Sequence, residues 1–549
     1  MATHEVTNQP PPLVGYDVAQ DPALFGALEA AGAGWAAPEL HELGTLAGSA
    51  EVAEKARVVN ENPPQLRSHD RYGHRIDEVE FHPYWHDLME VAVAHGLHGA
   101  PWSSAQRGAH VARAAKFYVW AQAEVGHLCP VSMTYSVVPA LRHHAELARR
   151  YEPLLASPIY DYGLREPSTK RGLIAGMSMT EKQGGSDVRA NTTTASPEPD
   201  GSWTLVGHKW FTSAPMSDLF LALAQAPGGL SCFFVPRVLP DGSRNPMRLV
   251  RLKDKLGNRS NASAEVEYEG ATAWLVGEEG HGVRTIMEMV NNTRLDAMIG
   301  SAAGMRWGVV QAVHHASNRR AFGGQLVDKP LMANVLADLV VESEAAVVVS
   351  MRLAQANDRA ADGDADEEAF RRLALPVAKY WLCKRAPSHA AESLECLGGN
   401  GYVEESQMPR LYREAPVNSI WEGSGNVAAL DALRAMATRV DALDAFYAEV
   451  QRAAGADPRL DHALERLQKE LSVVDDVERR ARRLVETMAL VLQASLLVRW
   501  GHPAVADAFV ASRLDGDWGH AFGTLSPRAD TVAIVDRASA AAADPSPPA

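Results

Sequence analysis

The feature that most constrains the fold is a change in the spacing of apolar residues along the chain. Residues 109–125 carry apolar or aromatic side chains at helical spacing, whereas residues 172–276 contain short β-prone runs separated by turn clusters. Helical spacing returns in residues 294–319 and 332–359, and an Asp-Gly-Asp break follows at 362–364. A helix repeats every 3.6 residues and a strand every two, so the two patterns require different elements. The pattern predicts a small β-barrel or β-sandwich inserted between helical domains.

The length of 549 residues exceeds what one hydrophobic core normally holds, which predicts several domains. We place the boundaries where the residue pattern changes. The predicted segments are an N-terminal helical domain (1–170), a β domain (171–281), a helical-bundle domain (282–440), a C-terminal helical domain (441–537) and a disordered tail (538–549).

Composition limits the functional classes. A hydrophobic fraction of 46% with 22% charged residues is typical of globular proteins and not of disordered chains. The sequence shows no signal peptide and no long uncharged apolar run, so we expect a cytoplasmic protein with no membrane partner. The formal net charge of −15 argues against general nucleic-acid affinity, because nonspecific binding needs a positive field. The four cysteines are scattered singly, which predicts buried thiols and neither a disulfide framework nor a metal site.

Residues 419–426 (Ser-Ile-Trp-Glu-Gly-Ser-Gly-Asn) place one carboxylate between apolar and small side chains. Burial beside Ile420 and Trp421 would disfavour the charged form of Glu422 and make it a better base than a solvated carboxylate. The glycines that follow allow a planar ligand to approach the backbone. Upstream, residues 397–402 (Leu-Gly-Gly-Asn-Gly-Tyr) form a second stretch where the backbone can contact phosphates.

Three further segments carry weaker signals. Residues 179–187 suit a loop around phosphates, although a Gly-Gly-Ser-Asp loop is more often an ordinary turn. Residues 207–213 offer an indole to cover a ring and a Thr212 hydroxyl to bond a ring nitrogen; the plainer alternative is a strand with one buried Trp. Residues 319–323 carry a guanidinium and an aromatic ring at the end of a predicted helical segment. An arginine at the C-terminus of a helix often only complements the helix dipole.

Taken in order, these segments resemble the acyl-CoA dehydrogenase family over residues 90 to 435 or so. The resemblance implies a mainly α fold with a central β domain, in which an N-terminal helical domain, a β-barrel or sandwich and a four-helix bundle hold FAD. An extra C-terminal helical domain follows. The Asn-Gln-Pro start at residues 8–10, the Phe-His-Pro at 81–83 and the C-terminal extension are similar to the AidB-type branch, flavoproteins of the bacterial alkylation response.

The resemblance also implies residue roles. Glu422 would be the catalytic base, and Arg294 would belong to the catalytic site beside Thr293, the position where another branch carries its base. Arg319 and Phe322 would hold the adenosine diphosphate part of the FAD of a neighbouring subunit, which implies a homotetramer. The other residues implied to bind FAD are Met179, Thr180, Gly185, Ser186, Trp210, Phe211, Thr212, Ser213, Gly398, Gly399, Trp421, Gly423, Ser424, Gly425 and Asn426.

Enzymes of this family remove the α-proton of an acyl thioester while the β-hydrogen leaves as hydride to the flavin. The resemblance therefore implies an FAD-dependent dehydrogenase acting on an acyl-CoA thioester, with an unidentified electron acceptor. One alternative is a DNA-binding flavoprotein that protects DNA from alkylating agents or inactivates them, which Trp421 and the C-terminal extension favour. Another is an acyl-CoA oxidase or flavin monooxygenase on the same fold. The presence of Glu422 favours the dehydrogenase.

Double-stranded DNA is a second partner that the resemblance implies, with Arg434 at a position associated with DNA contact. Residues 431–549 hold 14 Lys and Arg against 18 Asp and Glu, so this segment is not basic. Its densest basic cluster is Arg479, Arg480, Arg482 and Arg483. Asp475, Asp476 and Glu478 precede three of these arginines by four residues, which predicts a solvated helix face with internal ion pairs.

Overall fold

The computed structural model describes residues 3–539 and divides into two compact units. The bundle unit contains the chain up to Ala53, the segment Arg107–Ala123 and the chain from Ala297 onward. The sheet unit contains Glu54–Gln106 and Glu124–Asp296.

The helices are distributed over both units. In chain order the α-helices are α1 (Pro22–Ala31), α2 (Ala37–Ala47), α3 (Ala50–Glu61), α4 (Pro83–Ala94), α5 (Ala100–Ser103), α6 (Ala109–Ala121), α7 (Leu128–Leu141), α8 (Ala145–Leu155), α9 (Gly282–Asn318), α10 (Pro330–Ala361), α11 (Ala365–Glu395), α12 (Met408–Glu414), α13 (Gly425–Thr438), α14 (Val440–Gln451), α15 (Pro458–Leu471), α16 (Val477–Trp500), α17 (Pro503–Phe509) and α18 (Thr531–Asp536).

The sheet unit is built around a barrel. Its strands are β1 (Gln65–His69), β2 (Arg75–Glu80), β3 (Ala175–Thr180), β4 (Thr194–Pro197), β5 (Trp203–Ser213), β6 (Leu219–Ala226), β7 (Gly229–Pro236), β8 (Met247–Leu252) and β9 (Ser263–Val276). Strands β3 to β9 form one seven-stranded sheet in the order β3-β5-β4-β6-β7-β9-β8. Additional pairings of β3 with β6 and of β5 with β9 close a ring of strands. The predicted central β domain is therefore confirmed, as a barrel and not a sandwich.

Burial explains why the barrel strands were recognisable from the sequence. Strands β6 and β7 are buried on both faces almost throughout, and such strands appear as continuous apolar runs. The apolar cluster of the barrel extends into the helices that precede it. Val137 of α7 and Tyr151 of α8 belong to the same cluster as Leu221 and Phe234 of the barrel.

One element of the sheet unit was not predicted. Strands β1 and β2 form an antiparallel hairpin within a region whose pattern indicated mainly helix. The turn is closed by Asp70, whose carboxylate accepts hydrogen bonds from the backbone N–H groups of Tyr72 and His74. Both strands carry mostly polar residues, so they lack the apolar alternation that identifies a strand.

The bundle unit contains the long helices that the spacing predicted. Helix α10 ends at Ala361, and the predicted Asp-Gly-Asp break follows it. Gly363 has a φ of 91°, and the side chain of Asp364 caps α11 by accepting hydrogen bonds from Asp366 and Glu367. Because these residues are poor helix formers but good caps, the break was visible in the sequence. Helix α9 begins at Gly282, where the helical pattern was predicted to return.

The predicted C-terminal helices are present and are tied to α10 through buried charges. Glu449 of α14 accepts hydrogen bonds from Arg352 of α10 at 2.8 Å and from Arg499 of α16 at 2.5 Å. Burial raises the pKa of Glu449, but the two guanidinium groups outweigh burial and lower this pKa to about 2. The carboxylate is thus charged at neutral pH. The predicted domain boundaries stay predictions, and residues 540–549 of the predicted tail lie outside the described residues.

Two further findings concern the whole described chain. No helix among residues 3–539 is long and apolar enough to cross a membrane. All four cysteines are buried and free, as predicted. Burial raises the pKa of Cys232 and of Cys396 to about 12, so these thiols stay protonated at neutral pH.

Candidate active site and cofactor-binding segments

Glu422 lies in a turn between the short 3₁₀ helix Val417–Ser419 and the start of α13 at Gly425. Its φ is 56°, in the left-handed region. A non-glycine residue held there costs of order 1–3 kcal/mol and persists only where surrounding contacts impose it, commonly at functional sites. Contacts from surrounding residues must therefore hold this turn in its strained conformation.

Lys379 of α11 supplies that restraint. Its side chain is buried, and its Nζ donates hydrogen bonds to the carbonyl oxygen of Trp421 at 2.8 Å and to that of Gly423. The first carbonyl lies in the peptide group that precedes Glu422 and the second in the peptide group that follows Gly423, so one ammonium group ties the backbone on both sides of Glu422. The sequence analysis missed Lys379, because a single lysine inside a helical segment carries no local signal.

The indole of Trp421 ties the same turn to α9. Trp421 Nε1 donates to Asn418 Oδ1 at 2.9 Å, and Asn418 Nδ2 donates to Ser301 Oγ at 3.0 Å. Ile420 does not bury Glu422 as predicted, since its side chain is 66% exposed. The turn directs Trp421 towards Asn418 and leaves Ile420 on the outside.

Arg319, predicted to contact FAD, lies just beyond the end of α9 and is bound by the N-terminal segment. Its guanidinium donates to the carbonyl oxygen of Asn8. The Asn8 side chain also donates to the Arg320 carbonyl at 2.9 Å and accepts from the Arg320 N–H at 2.8 Å. Nearby in sequence, Phe322 has a φ of 49° and is 91% exposed. An exposed aromatic ring on a strained backbone is suited to contact a ligand or another chain.

The N-terminal segment also reaches the predicted glycine stretch. Gly398 and Gly399 open a 3₁₀ helix, and nothing lies within 4 Å of where a Cβ would stand on either residue. The side chain of Asn400 donates to Gln9 Oε1 at 3.2 Å. Residues 8 and 9 therefore join two segments that were assigned to FAD separately. Their only sequence signal was the Asn-Gln-Pro start, to which no role had been given.

The sheet unit positions the remaining predicted cofactor residues. Met179 and Thr180 end strand β3, where the pairing register with β5 shifts between Ser178 and Thr180. Such a bulge bends the strand and redirects its side chains. A Cβ on Gly185 would approach Thr180 Oγ1 to 2.6 Å, so the loop packs against the strand end only with glycine there. Ser186 follows as an exposed residue.

A buried ion pair anchors this loop. The carboxylate of Glu181 accepts hydrogen bonds from Lys209 Nζ at 2.8 Å and from the N–H groups of Thr192 at 2.6 Å and Thr193 at 3.1 Å. Burial raises the pKa of Glu181, but the ammonium of Lys209 and these donors outweigh burial and lower this pKa to about 2. Glu181 is therefore a structural anion and a poor candidate for a base.

Alternation along β5 separates its four predicted residues. Thr212 is buried, and its hydroxyl lies 2.7 Å from Ser178 Oγ inside the barrel, so the predicted bond from this hydroxyl to a flavin nitrogen is not supported. Lys253 Nζ lies 3.3 Å from the ring centroid of Trp210 and 4.6 Å from that of Phe211. Phe211 is 49% exposed, and Ser213 lies on the same side by alternation. Exposure therefore favours Phe211 and Ser213 over the buried Thr212 as ligand-facing residues.

The position that carries the base in another branch contains no acid. Thr293 of α9 is buried, and its hydroxyl donates to the carbonyl oxygen of Val290 at 3.0 Å. Arg294 beside it is also buried. Glu422 thus keeps its place as the candidate base.

The predicted ion pairs of the C-terminal basic cluster do not form. Helix α16 begins at Val477, so Asp475 and Asp476 precede the helix and i,i+4 spacing does not bring them beside Arg479 and Arg480. Asp476 itself has a φ of 53° at the N-cap. The prediction of an internally neutralised helix face was therefore wrong.

The arginines of this cluster find other partners. Arg480 donates to the carbonyl oxygen of Glu470 at 3.1 Å, and Arg483 pairs with the Glu470 carboxylate at 3.0 Å. Arg482, although one turn after Glu478, donates from Nε to Asn426 Oδ1 at 2.8 Å. The side chains of Arg479 in α16 and Arg434 in α13 are exposed, and neither forms an ion pair within residues 3–539.

The donor set of these segments fits a flavin dinucleotide. Open glycine backbone suits phosphate, exposed aromatic rings suit planar heterocycles, and arginines match phosphate geometry. No cluster of three or more His, Cys, Asp or Glu side chains in the described part of the chain is arranged to hold a metal ion.

Comparison with family profiles agrees with this assignment. Residues 8–162 match the profile of the adaptive response protein AidB N-terminal domain. Residues 176–271 match the acyl-CoA dehydrogenase middle domain, and residues 280–437 match the acyl-CoA dehydrogenase C-terminal domain.

Individual proteins resemble the chain over most of its length. It is 46% identical to the Escherichia coli K12 protein named "Putative acyl-CoA dehydrogenase AidB" over 517 residues, covering 93% of this chain and 95% of that protein. It is 30% identical to acyl-CoA dehydrogenase family member 11 of Caenorhabditis elegans, covering 85% of this chain and 80% of that protein. The crystal structure of C. elegans ACDH-11 in complex with C11-CoA superimposes with a TM-score of 0.85 at 27% identity, covering 96% of this chain and 95% of that one.

Proposed function

Because the chain belongs to the AidB-type branch of the acyl-CoA dehydrogenase family, we propose that it dehydrogenates an acyl-CoA thioester with Glu422 as the base. Family membership makes the chain an FAD-dependent oxidoreductase. The acyl-CoA bound to the C. elegans neighbour supports a thioester as the substrate class.

The restrained turn at Glu422 carries this proposal. A base must be held close to the proton that it removes, because small displacements of the reacting groups cost rate. Here the left-handed backbone of Glu422 and the two hydrogen bonds from Lys379 to the carbonyls of Trp421 and Gly423 restrain the turn that carries the carboxylate. The position from which the side chain of Glu422 leaves the backbone is therefore fixed.

The proposed reaction breaks two C–H bonds. The carboxylate of Glu422 takes the α-proton, whose acidity the thioester carbonyl increases, and becomes a carboxylic acid. FAD, when bound, supplies a two-electron acceptor for the hydride that leaves the β-carbon. The acyl chain is left with a double bond between its α- and β-carbons.

We assign the cofactor contacts according to the geometry of each unit. In the sheet unit, Phe211, Ser213 and the loop around Gly185 would face the flavin end. In the bundle unit, Arg319, Phe322, Gly398 and Gly399 form one group of contacts to the adenosine diphosphate part. The other group in that unit, the turn from Gly423 to Asn426, follows the base directly.

Anaerobic titration of the purified flavoprotein with short, branched and long acyl-CoAs tests the proposal. One class should bleach the flavin absorbance in the wild type. Glu422→Gln should retain FAD and lose bleaching by about 10²–10⁴-fold in rate, the usual contribution of a positioned base. Glu405→Gln, a change at an exposed carboxylate of the same unit, is the matched control and should bleach normally.

Two results would contradict the proposal. Unchanged bleaching in Glu422→Gln would place the base elsewhere, and Asp296 on α9 would then be the next residue to test. If no acyl-CoA bleaches wild-type protein that carries its full FAD, the thioester would not be the substrate.

We also propose a homotetramer. Several large apolar side chains of the bundle unit are strongly exposed, among them Phe322 at 91%, Leu331 at 84%, Tyr402 at 82% and Ile420 at 66%. Exposed apolar surface of this kind commonly marks an interface. Light scattering on the eluted protein should give four times the chain mass, and a monomer would exclude the assignment.

DNA association in an alkylation response is the second candidate function. The exposed and unpaired Arg434 and Arg479 favour it, since an ion-paired arginine is less available to phosphate. Fluorescence anisotropy with a labelled duplex at several salt concentrations should show binding that weakens in Arg434→Ala. Equal affinity of the variant and the wild type would remove Arg434 from any DNA surface.

A further inference from the structure

Arg482 has an unusual position among the arginines of α16. It belongs to the C-terminal segment, beyond residue 437, where the match to the acyl-CoA dehydrogenase profile ends. Its Nε nevertheless donates to Asn426 Oδ1 at 2.8 Å, in the turn that immediately follows Glu422. A residue outside the matched domains thus contacts a segment assigned to the cofactor.

The charge of Arg482 is not neutralised within residues 3–539. It forms no ion pair, and its two terminal Nη groups make no hydrogen bond there. Its helix neighbour Arg483 differs, because that side chain pairs with Glu470 at 3.0 Å. An arginine offers five N–H donors in a planar fork, so four donors of Arg482 remain for a ligand.

A second cation lies at the same turn. The space beside Gly425 is filled by Lys384 of α11, whose Nζ lies 3.3 Å from where a Cβ on Gly425 would stand. Lys384 also forms no ion pair within the described chain. The N-cap residue of α13, Ser424, makes no side-chain capping bond, so the first N–H groups of this helix receive no hydrogen bond from its hydroxyl. Two cations without an ion pair in the described chain thus lie at the turn that was predicted to bind FAD.

We propose that Arg482 binds the pyrophosphate of FAD through its Nη groups while its Nε fixes Asn426. A pyrophosphate carries two negative charges and presents paired oxygens that match a guanidinium. Coenzyme A carries the same group, but Arg482 touches the turn that the family assigns to FAD, so FAD is the assigned source. The inference rests on FAD occupying that turn and does not require Glu422 to be the base.

FAD release from the full-length holoprotein tests the assignment. The variants are Arg482→Ala and Arg482→Lys, with Arg483→Ala as the matched control on the same helix. Free FAD fluoresces more strongly than bound FAD, so release after dilution and rebinding on titration both follow from flavin emission.

Arg482→Ala should weaken FAD affinity by about 10–100-fold, the range for a lost hydrogen bond between charged groups. Arg482→Lys should recover part of this loss, because it keeps the charge without the fork. Arg483→Ala should leave FAD release unchanged. The melting temperature of FAD-free Arg482→Ala should equal that of the FAD-free wild type, which excludes a folding defect. Asn426→Ala should lower FAD affinity by a smaller factor in the Arg482→Ala background than in the wild type, because the two side chains act together.

Three outcomes would overturn the assignment. Unchanged FAD affinity in Arg482→Ala would show that the guanidinium does not contact the cofactor. Weaker binding of acyl-CoA with unchanged FAD affinity would assign Arg482 to coenzyme A. Weaker binding of duplex DNA in both Arg482→Ala and Arg483→Ala, with unchanged FAD affinity, would assign the helix face to nucleic acid. The test of Glu422 as the base is independent of these three outcomes, because Glu422→Gln should lose bleaching by acyl-CoA and keep FAD.

Discussion

Two buried lysines hold the two units' cofactor segments, and they do so in different ways. In the sheet unit, Lys209 pairs with the carboxylate of Glu181, which also accepts hydrogen bonds from Thr192 and Thr193. In the bundle unit, Lys379 donates to the carbonyl oxygens on either side of Glu422. A carboxylate bound by several donors is a structural anion and a poor base. The contrast is between a lysine that pairs with a glutamate carboxylate and a lysine that restrains the backbone around a glutamate.

The largest effect should follow from removing the sheet-unit lysine. Lys209→Met leaves Glu181 buried without its counter-ion, which should cost about 3–5 kcal/mol in the free energy of unfolding. Urea unfolding followed by far-UV circular dichroism measures this loss. Lys182→Met, at an exposed lysine next to Glu181 in sequence, is the control and should change stability by less than about 0.5 kcal/mol. Equal losses in the free energy of unfolding would show that the ion pair of Lys209 with Glu181 makes no specific contribution to stability.

A smaller effect on stability, with a larger one on chemistry, should follow from removing the bundle-unit lysine. Lys379→Met leaves two carbonyls without this donor, which should cost about 1–3 kcal/mol in the free energy of unfolding. If the turn relaxes, flavin bleaching by acyl-CoA should slow about tenfold or more, since each 1.4 kcal/mol of barrier is about tenfold in rate. Absorbance before mixing checks that FAD is retained. A normal bleaching rate would mean that the turn holds its shape without Lys379.

The last prediction concerns stability at acid pH and has the smallest expected effect near neutral pH. The pKa of Glu181 is lowered to about 2 in the folded chain, and an unfolded glutamate has its ordinary, higher value. Its contribution to stability is therefore complete above the unfolded pKa and is lost as pH falls from about 4.5 towards 2. Unfolding midpoints between pH 7 and pH 3 should fall less steeply in Glu181→Gln than in the wild type. If the unfolding midpoint falls with pH at the same slope in both proteins, Glu181 does not contribute to the acid dependence of stability.

Sequence patterns identified much of the fold because the relevant information was local. The apolar runs of β6 and β7 and the Asp-Gly-Asp break after α10 each depend on neighbouring residues. The hairpin of β1 and β2 was missed because its strands are polar. The pairs within the C-terminal basic cluster were predicted wrongly because Asp475 and Asp476 lie before the start of α16, and i,i+4 spacing has meaning only within a helix.

The candidate site shows the same division. The motif around Glu422 and the resemblance of its neighbours indicated where to look for a base, and comparison with known proteins confirmed the family. Spacing alone could not decide which of the residues of β5 face outward, since the bulges in its pairing depend on β3 and β9. Pairing places Thr212 against Ser178 and leaves Phe211 exposed.

By itself, the sequence determined the central β domain between helical segments, the FAD-dependent family and the candidate base, because periodicity and short motifs reside in consecutive residues. Only the tertiary structure decided that Lys379 restrains the turn of the candidate base, that Asn8 and Gln9 join two segments of the bundle unit that we assign to FAD, and that Arg482 reaches Asn426. Each of these contacts joins residues far apart in the chain. A hydrogen bond acts over about 3 Å of space whatever the separation in sequence, so packing must bring its partners together before it can be recognised.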